Sequence, residues 1–292
     1  MLKKLKYHID LMRPKHYIKN VLIFVPLVFS GLLLNSDSLL KTIIGFLDFS
    51  IVASTIYIIN DIRDIEKDKK HPKKKNRPLA SGKISKNGAL LQILIMLLVL
   101  FLSMFFFPIP FLSIILLLSY FILNIGYSFG LKNIPILDVF IIVLGFLIRI
   151  LFGANLIQVR VSKWLYLTII TISFFLSLGK RRNEILIQDN KKETRSVLKY
   201  YNKEFIDKNM YMNLGMAIVF YSLWATDELI VARISENLIW TIPIIIVICM
   251  KYSLDVETGG DGDPTNILLE DKVLMGLIFI LGLFISFLIY MK

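Results

Sequence analysis

Long apolar runs, separated by short polar segments, dominate the pattern of this chain. A run of about 20 apolar residues is long enough to cross a bilayer as a helix. Because lipid offers no hydrogen bonds to a backbone, such runs predict helices rather than open sheets. The pattern therefore predicts an all-α, polytopic membrane protein in which residues 1–292 form one integral membrane domain. The nine predicted spans lie at roughly 20–34, 39–59, 88–107, 110–127, 134–157, 163–179, 210–231, 236–252 and 273–291.

The N-terminal segment has a different pattern from the runs that follow it. Residues 1–20 are basic and amphipathic and contain no small-residue cleavage site. These properties are typical of an interfacial helix and not of a signal peptide. We expect this helix to stay on the mature protein, next to a first span, 20–34, that is short.

Charge sets the predicted orientation. Of the 34 Lys and Arg residues, about 28 belong to the N-terminus and the loops after even-numbered spans. The positive-inside rule places that side, and the polar segments on it, in the cytoplasm, as expected for an inner-membrane protein. The net charge is +12, and the basic residues flank apolar spans. This distribution fits binding to anionic lipid and phosphorylated ligands better than binding to nucleic acid. The single Cys249 and three scattered His residues exclude an intramolecular disulfide and make zinc an unsuitable metal.

The most informative polar cluster begins where the second predicted span ends. Asn60, Asp61, Asp64 and Asp68 recur at near-helical spacing, so on a helix all four side chains can converge. Converging carboxylates repel unless a cation joins them, and hard oxygen ligands of this kind suit Mg²⁺. The alternative is an acidic helix end neutralised by the lysines that follow it, which are Lys67, Lys69 and Lys70.

Three segments, 60–87, 180–209 and 253–271, are long and charged and are predicted to be cytoplasmic functional loops. After its acidic cluster, the first carries concentrated positive charge broken by Pro and Gly. The second opens with Lys180-Arg181-Arg182, for which topology flanking and phosphate binding both stay open. The third places Gly residues among four acids, which suits a phosphate, a metal or sugar hydroxyls. A plain connector is the alternative there, and the spacing does not fit a calcium-binding EF-hand.

Charged residues inside the predicted spans need partners, because a central charge costs at least about 2.5–3.5 kcal/mol. Arg149 has apolar neighbours on both sides, and we expect it to pair with Asp138, with an Asp of another span or with a bound phosphate. Asp48 and Asp227 pose the same question, and the sequence assigns them no role.

The acidic cluster resembles the first motif of the UbiA superfamily of intramembrane prenyltransferases. That motif reads Asn-Asp-x-x-Asp-x-x-x-Asp, and Asn60, Asp61, Asp64 and Asp68 match every position. The segment 127–132 also resembles a Tyr/Lys motif at the end of the family's fourth span. The resemblance covers nearly the whole chain and implies nine helices with a cytoplasmic active site.

Other segments resemble one branch of this superfamily, the decaprenyl-phosphate phosphoribosyltransferases. The branch is indicated by 13–20, Arg77-Pro78, Leu137-Asp138, Arg149, 179–181 and the Gly-rich acidic loop, which departs from the second Asp motif of ordinary members. It implies Mg²⁺-dependent transfer of 5-phosphoribose from phosphoribosyl diphosphate to a polyprenyl monophosphate. The product would serve cell-envelope glycan synthesis.

The resemblance also implies roles for particular residues. Asn60, Asp61, Asp64 and Asp68 would hold Mg²⁺ on the leaving diphosphate, and the three Asp are the expected catalytic residues. Asp255 and Asp261 would contact the ribose or a metal, and Arg149 the lipid head group. The remaining expected substrate-binding residues are Lys19, Arg77, Tyr127, Lys132, Lys180 and Arg181.

Two alternatives stay open from the sequence. One is an ordinary prenyltransferase, which would move a prenyl group from its diphosphate to an aromatic or other acceptor. The other is a transporter or lipid carrier, which the sparse midplane charges and weak internal symmetry disfavour. The oligomeric state, including a homo-oligomer, has no readable signature.

Overall fold

The computed structural model describes residues 2–72, 74–188, 196–258, 267–268 and 270–291 of the chain. Within these ranges the regular structure is helical and contains no strand, as the apolar runs predict. Twelve helices are used below: α1 Leu2–Met12, α2 Val25–Phe29, α3 Ser36–Arg63, α4 Ile65–Lys70, α5 Lys86–Phe106, α6 Phe111–Phe129, α7 Leu137–Leu156, α8 Lys163–Gln188, α9 Lys203–Ala225, α10 Glu228–Arg233, α11 Thr241–Glu257 and α12 Lys272–Tyr290. Short 3-10 helices cover Pro14–Phe24, Lys74–Asn76, Leu131–Asn133, Ser196–Tyr200 and Glu236–Trp240.

Six helical segments in the described ranges are long and apolar enough to cross a membrane. They are Ser36–Arg63, Lys86–Phe106, Phe111–Phe129, Leu137–Leu156, Glu236–Glu257 and Lys272–Tyr290. The long helix α8 covers the predicted span at 163–179 and continues through charged residues, whereas α9 covers only residues 210–225 of the predicted span at 210–231 and the separate helix α10 begins at Glu228. The count of nine spans stays a prediction.

The first predicted span differs most from the structure. Residues 20–34 do not form one helix, because a 3-10 helix ends at Phe24 and α2 continues only to Phe29. The predicted interfacial helix over 1–20 is also shorter: α1 ends at Met12 and Arg13 takes the left-handed conformation with φ 56°. Pro14, which cannot donate a backbone hydrogen bond, then begins the 3-10 helix.

Polar side chains fix where several helices begin. Asn35 Oδ1 accepts a hydrogen bond from Ser38 N, and Ser85 Oγ accepts one from Gly88 N. Asn202 and Asp271 cap α9 and α12 in the same way, through Phe205 N and Leu274 N. Each cap satisfies one of the N–H groups that a helix start leaves without an intrahelical partner.

The chain divides into two compact units. Unit 1 contains residues 1–27, 33–128 and 148–158, and unit 2 contains 28–32, 129–147 and 159–292. Unit 1 has an apolar core around Phe49 and Phe152, and unit 2 has one around Phe175 and Val256.

One close backbone contact in unit 1 involves Gly153 of α7. A Cβ placed on Gly153 would lie 2.1 Å from the carbonyl oxygen of Ile23. Real Cβ atoms do not approach a backbone this closely, so the 3-10 helix lies against α7 only because residue 153 has no side chain.

Candidate active site

Two carboxylates of the predicted metal motif lie together in unit 1. Asp61, on the last turn of α3, and Asp68, on α4, are only 2% and 4% exposed. Arg77 bridges them: its Nη1 lies 3.0 Å from Asp61 Oδ1 and 2.7 Å from Asp68 Oδ2. Arg13 also donates from Nη2 to Asp61 Oδ1. Each buried carboxylate therefore faces at least one guanidinium group.

The spacing of the motif predicted one continuous helix, but the structure divides the motif between two helices. The α3 helix ends at Arg63, and Asp64 joins it to α4 with φ −96° and ψ 13°. Helical hydrogen bonds still cross this junction, from Asp64 N to Asn60 O at 3.0 Å and from Asp68 N to Asp64 O at 2.8 Å. The side chains of Asn60 and Asp64 are half-buried. In the described ranges no three His, Cys, Asp or Glu side chains are arranged as a ready-made metal site.

Arg13 is the residue of this cluster that sequence reasoning missed, although it belongs to the segment 13–20 that carried the family resemblance. Its guanidinium carbon lies 5.0 Å from the centre of the Tyr57 ring, and Tyr57 precedes Asp61 by one helical turn. An arginine over an aromatic face next to a carboxylate is stabilised by both. The motif Arg-Pro after an amphipathic helix was the available signal.

Arg149 joins a buried polar network in unit 1. Its Nε donates to Asn20 Oδ1 at 2.8 Å and its Nη2 to Tyr120 Oη at 2.8 Å. The guanidinium also lies over the rings of Tyr120 and Phe49. Of the three alternative partners expected for Arg149, Asp138 is ruled out, because eleven residues along the same helix separate the two by about 16 Å.

In unit 2, Asp138 instead pairs with Arg181. Arg181 Nε lies 2.7 Å from Asp138 Oδ2, and both side chains are almost completely buried, at 1% and 0% exposed. Arg181 Nη1 donates to Glu184 Oε2, and Tyr201 Oη donates to Asp138 Oδ1, both at 2.7 Å. Burial, followed by the hydrogen bond to Asp138, raises the pKa of Tyr201 to about 12, so its hydroxyl keeps its proton and donates. The Arg181–Asp138 ion pair is therefore almost completely shielded from solvent, and it is called the sealed pair below.

Arg182, the next residue of α8, is arranged differently. Its Nε donates to Asp207 Oδ1 at 2.6 Å, and its Nη2 lies 3.6 Å from Glu257 Oε1. Its buried Nη1 makes no hydrogen bond with any described residue. A buried cationic donor without an acceptor is costly unless a ligand completes it. Sequence reasoning did not select Arg182, although it quoted it beside Lys180 and Arg181.

The beginning of the third polar segment is also helical, since α11 extends to Glu257. Asp255 therefore lies on a helix and pairs with Lys251, which also lies 2.5 Å from Asp271. The second oxygen of Asp255, Oδ2, is buried and accepts no hydrogen bond from the described residues. The hydrogen bond from Leu274 N, followed by that from Lys251, lowers the pKa of Asp271.

The remaining predicted site residues are distributed over both units. Lys19 and Tyr127 belong to unit 1, Lys132 and Lys180 to unit 2, and all four side chains are half-buried. Lys180 lies inside α8 and not in a loop, so the predicted loop 180–209 is wrong for its first nine residues, and α9 already begins at Lys203. Asp261 lies outside the described residues.

Comparison with known proteins decides the family. The model of the UbiA prenyltransferase family matches residues 22–254. The chain belongs to this family. The resemblance carried by the acidic motif is thus confirmed, and family membership together with the apolar helices identifies a membrane transferase.

Two relatives with assigned names indicate which branch of the UbiA family this chain resembles. The decaprenyl-phosphate phosphoribosyltransferase of Corynebacterium glutamicum is 30% identical over 275 residues, which cover 91% of this chain and 81% of that protein. The protein of the same name from Mycolicibacterium smegmatis is 32% identical over 280 residues, covering 91% and 87%. The predicted branch is therefore the one to which the chain is similar over most of its length.

A solved structure supports the fold. A UbiA homologue from Archaeoglobus fulgidus, bound to GPP and Mg²⁺, superposes with a TM-score of 0.69 at 19% identity and covers 98% of this chain and 100% of that one. The all-α UbiA fold is confirmed.

Proposed function

We propose that the protein transfers 5-phosphoribose from phosphoribosyl diphosphate to a polyprenyl monophosphate of the decaprenyl type and releases diphosphate. The observation that carries this proposal is the identity of 30% and 32%, over 91% of the chain, to two decaprenyl-phosphate phosphoribosyltransferases. The lipid-linked phosphoribose so formed would supply cell-envelope glycan synthesis.

The first acidic motif fits Mg²⁺ by its chemistry. Carboxylate and amide oxygens are the hard ligands that Mg²⁺ prefers, and substrate phosphates commonly complete its coordination. In the structure, the guanidinium groups of Arg13 and Arg77 neutralise the buried charges of Asp61 and Asp68. The two carboxylates therefore already bind cations. Asn60, Asp61, Asp64 and Asp68 would hold the metal, which neutralises charge that develops on the leaving diphosphate. Mg²⁺ in the structure of the Archaeoglobus homologue supports the use of a divalent metal.

Basic side chains would bind the phosphate groups of the two substrates. Arg77 and Arg13 suit the diphosphate because their guanidinium groups lie at the acidic motif and are 27% and 19% exposed. The donor that Arg182 leaves unused suits a further phosphate. Arg181 and Arg149 face internal partners, which favours supporting roles for both over the phosphate contacts expected from sequence. Lys19, Tyr127, Lys132 and Lys180 stay candidates for the remaining contacts.

Asp255 and Asp261 would contact the ribose or a metal. The Oδ2 of Asp255, which accepts no hydrogen bond from the part of the chain that the structure describes, supports this role because a buried carboxylate oxygen can accept a hydrogen bond from a ribose hydroxyl. For Asp261 the proposal rests on sequence alone.

The reaction needs no general base from the protein. A phosphate monoester dianion is itself nucleophilic, so its oxygen can attack the anomeric carbon of the ribose while the diphosphate leaves. The protein would position both substrates and stabilise the leaving group. Because phosphoribosyl diphosphate is cytosolic and most Lys and Arg residues flank one side of the spans, we place the N-terminus and active site on the cytoplasmic face.

A product assay on purified protein tests the proposal. One reaction contains phosphoribosyl diphosphate and decaprenyl phosphate, and a second contains geranyl diphosphate with aromatic acceptors, both with Mg²⁺. We expect mass spectrometry to find lipid-linked phosphoribose in the first reaction only. EDTA should abolish it, and added Mg²⁺ should restore it. A prenylated acceptor without lipid-linked phosphoribose would keep the family and overturn the substrates.

A further inference from the structure

The arginine that sequence reasoning missed, Arg13, has a feature that a plain phosphate ligand would not need. It donates to Asp61 Oδ1, the same oxygen that Arg77 Nη1 contacts at 3.0 Å. Arg77 also donates to Asp68, at 2.7 Å, and so contacts both carboxylates. Arg13 contacts Asp61. Of the two arginines, Arg13 is thus the one that can leave without breaking the bridge between the carboxylates.

Charge counting shows what each arginine contributes. Asp61 and Asp68 carry two negative charges, and Arg13 and Arg77 carry two positive charges, so these four side chains balance one another without metal. A bare divalent cation would have to bind beside the two guanidinium groups that already pair with these carboxylates, and repulsion between the cations opposes this. A metal bound to diphosphate brings its own negative charge and does not meet this penalty. The cluster therefore favours the metal–diphosphate complex over the bare metal.

Hydrogen bonds tie the chain to α3 on both sides of Arg13, through the backbone of Met12 and the side chain of Tyr17. Ser54 Oγ donates to Met12 O at 2.9 Å and lies 2.8 Å from Tyr17 Oη. Only the long side chain of Arg13 reaches the cluster from this fixed base, and it is 19% exposed. Its left-handed backbone, with φ 56°, is uncommon for a residue other than glycine and marks a constrained position. An exchange of partners by Arg13 then requires side-chain rotation alone.

The surroundings of Arg13 also suit a second partner. Its guanidinium carbon lies 5.0 Å from the Tyr57 ring centre, so the aromatic face supports the cation independently of Asp61. The Asp61 contact uses Nη2, and a guanidinium group has five N–H donors in all. Arg13 can therefore bind phosphate oxygens while it stays over the ring.

We propose that Arg13 is a built-in counter-cation of Asp61, which yields the carboxylate to the metal when metal and diphosphate bind together and then binds the diphosphate. This inference rests on the proposed function for Asp61 as a metal ligand. It goes further in making metal binding depend on diphosphate, so that bare metal binds weakly.

Metal binding to full-length protein in detergent tests the proposal without turnover. Mn²⁺ affinity, read by electron paramagnetic resonance, is measured with and without inorganic diphosphate for wild type, Arg13→Gln and Arg13→Lys. In Arg13→Gln we expect bare Mn²⁺ to bind about fivefold to tenfold more tightly, because the competing charge is gone. Diphosphate should bind about tenfold more weakly to the metal-loaded variant. Arg13→Lys keeps the charge and should restore weak binding of bare metal.

Two further variants make the result decisive. Lys41→Gln removes an exposed cation that pairs with Asp37 on the same helix α3, and it should change neither affinity. Asp61→Asn should weaken Mn²⁺ binding in every background. If Asp61→Asn has no effect, Asp61 is not a metal ligand and the metal assignment of the proposed function fails. If Asp61→Asn weakens binding but Arg13→Gln does not tighten it, the counter-cation role alone is overturned.

Discussion

Two of the Asp–Arg clusters in the described residues, one around Asp61 and one around Asp138, use the same chemistry with different access to solvent. In unit 1, Arg13 and Arg77 are 19% and 27% exposed above carboxylates that are buried. In unit 2, Arg181 and Asp138 are both almost completely buried. A cation at a rim can exchange its partner for a ligand, whereas a sealed pair has no competitor and mainly constrains the fold. In these two clusters, exposure of the arginine separates a candidate binding residue from a supporting one.

The strongest test of this difference is removal of charge in the unit 1 cluster. Asp61→Asn keeps the size of the side chain, and we expect turnover to fall at least about a thousandfold because a metal ligand is lost. Asp64→Ala should have the same effect. Product formation per folded molecule is measured beside the unfolding temperature, which should change by only a few degrees. Full turnover in either variant would remove that residue from the metal site.

The unit 2 cluster should respond in stability instead. Arg181→Met leaves the Asp138 carboxylate buried without its cation, which costs about 3–5 kcal/mol. Thermal and denaturant unfolding in detergent measure this loss, and turnover per folded molecule should stay within about threefold. The double variant Arg181→Met/Asp138→Leu should recover most of the stability. A selective loss of turnover at wild-type stability would instead indicate that Arg181 contacts the substrate.

Arg182 extends the comparison to neighbouring residues of one helix. Since its Nη1 is a buried donor with no acceptor among the described residues, we expect Arg182→Gln to raise KM for a phosphorylated substrate about tenfold with kcat nearly unchanged. Lys208→Gln is the matched control, because its exposed pair with Glu204 should contribute little. Steady-state kinetics with each substrate varied separately checks this. Unchanged KM values for both substrates would make Arg182 a structural residue.

The smaller of the two effects on stability is expected at Tyr201, beside the Arg181–Asp138 pair. Tyr201→Phe removes the hydroxyl that donates to Asp138 and accepts from Ile136 N. We expect a loss of about 1.5–3 kcal/mol, typical of a hydrogen bond to a charged group, with unaltered kinetics. The unfolding free energy measures it, and a loss equal to that of Arg181→Met would indicate that the three side chains act as one unit.

The sequence predicted the helical fold and the family well, and the reason is physical. Apolar runs of spanning length can satisfy their backbone in lipid only as helices, so their positions are readable without a structure. Helix ends were less readable: α8 continues through charged residues to Gln188, and α11 to Glu257. Charged side chains can reach water from a helix that has left the bilayer, so a change in polarity does not mark the end of the helix.

Contacts between distant residues were not predictable from the pattern. Arg149 donates to Asn20, 129 positions away, and Arg181 pairs with Asp138, 43 positions away. Composition shows that a buried arginine needs a partner, but helix packing decides which one it meets. The break at Asp64 escaped for a similar reason, because the spacing of the acidic residues is compatible with one helix or with two.

The close contact between Gly153 and Ile23 limits how this protein can change. A single methyl group added at position 153 would meet the carbonyl oxygen of Ile23 and must displace the segment that leads back to Arg13. Position 153 touches no charged group of either cluster, so a search for tolerated substitutions guided by chemistry would pass over it. Drift or engineering at this site would nevertheless alter activity, because the absence of a side chain there sets the placement of the N-terminal segment.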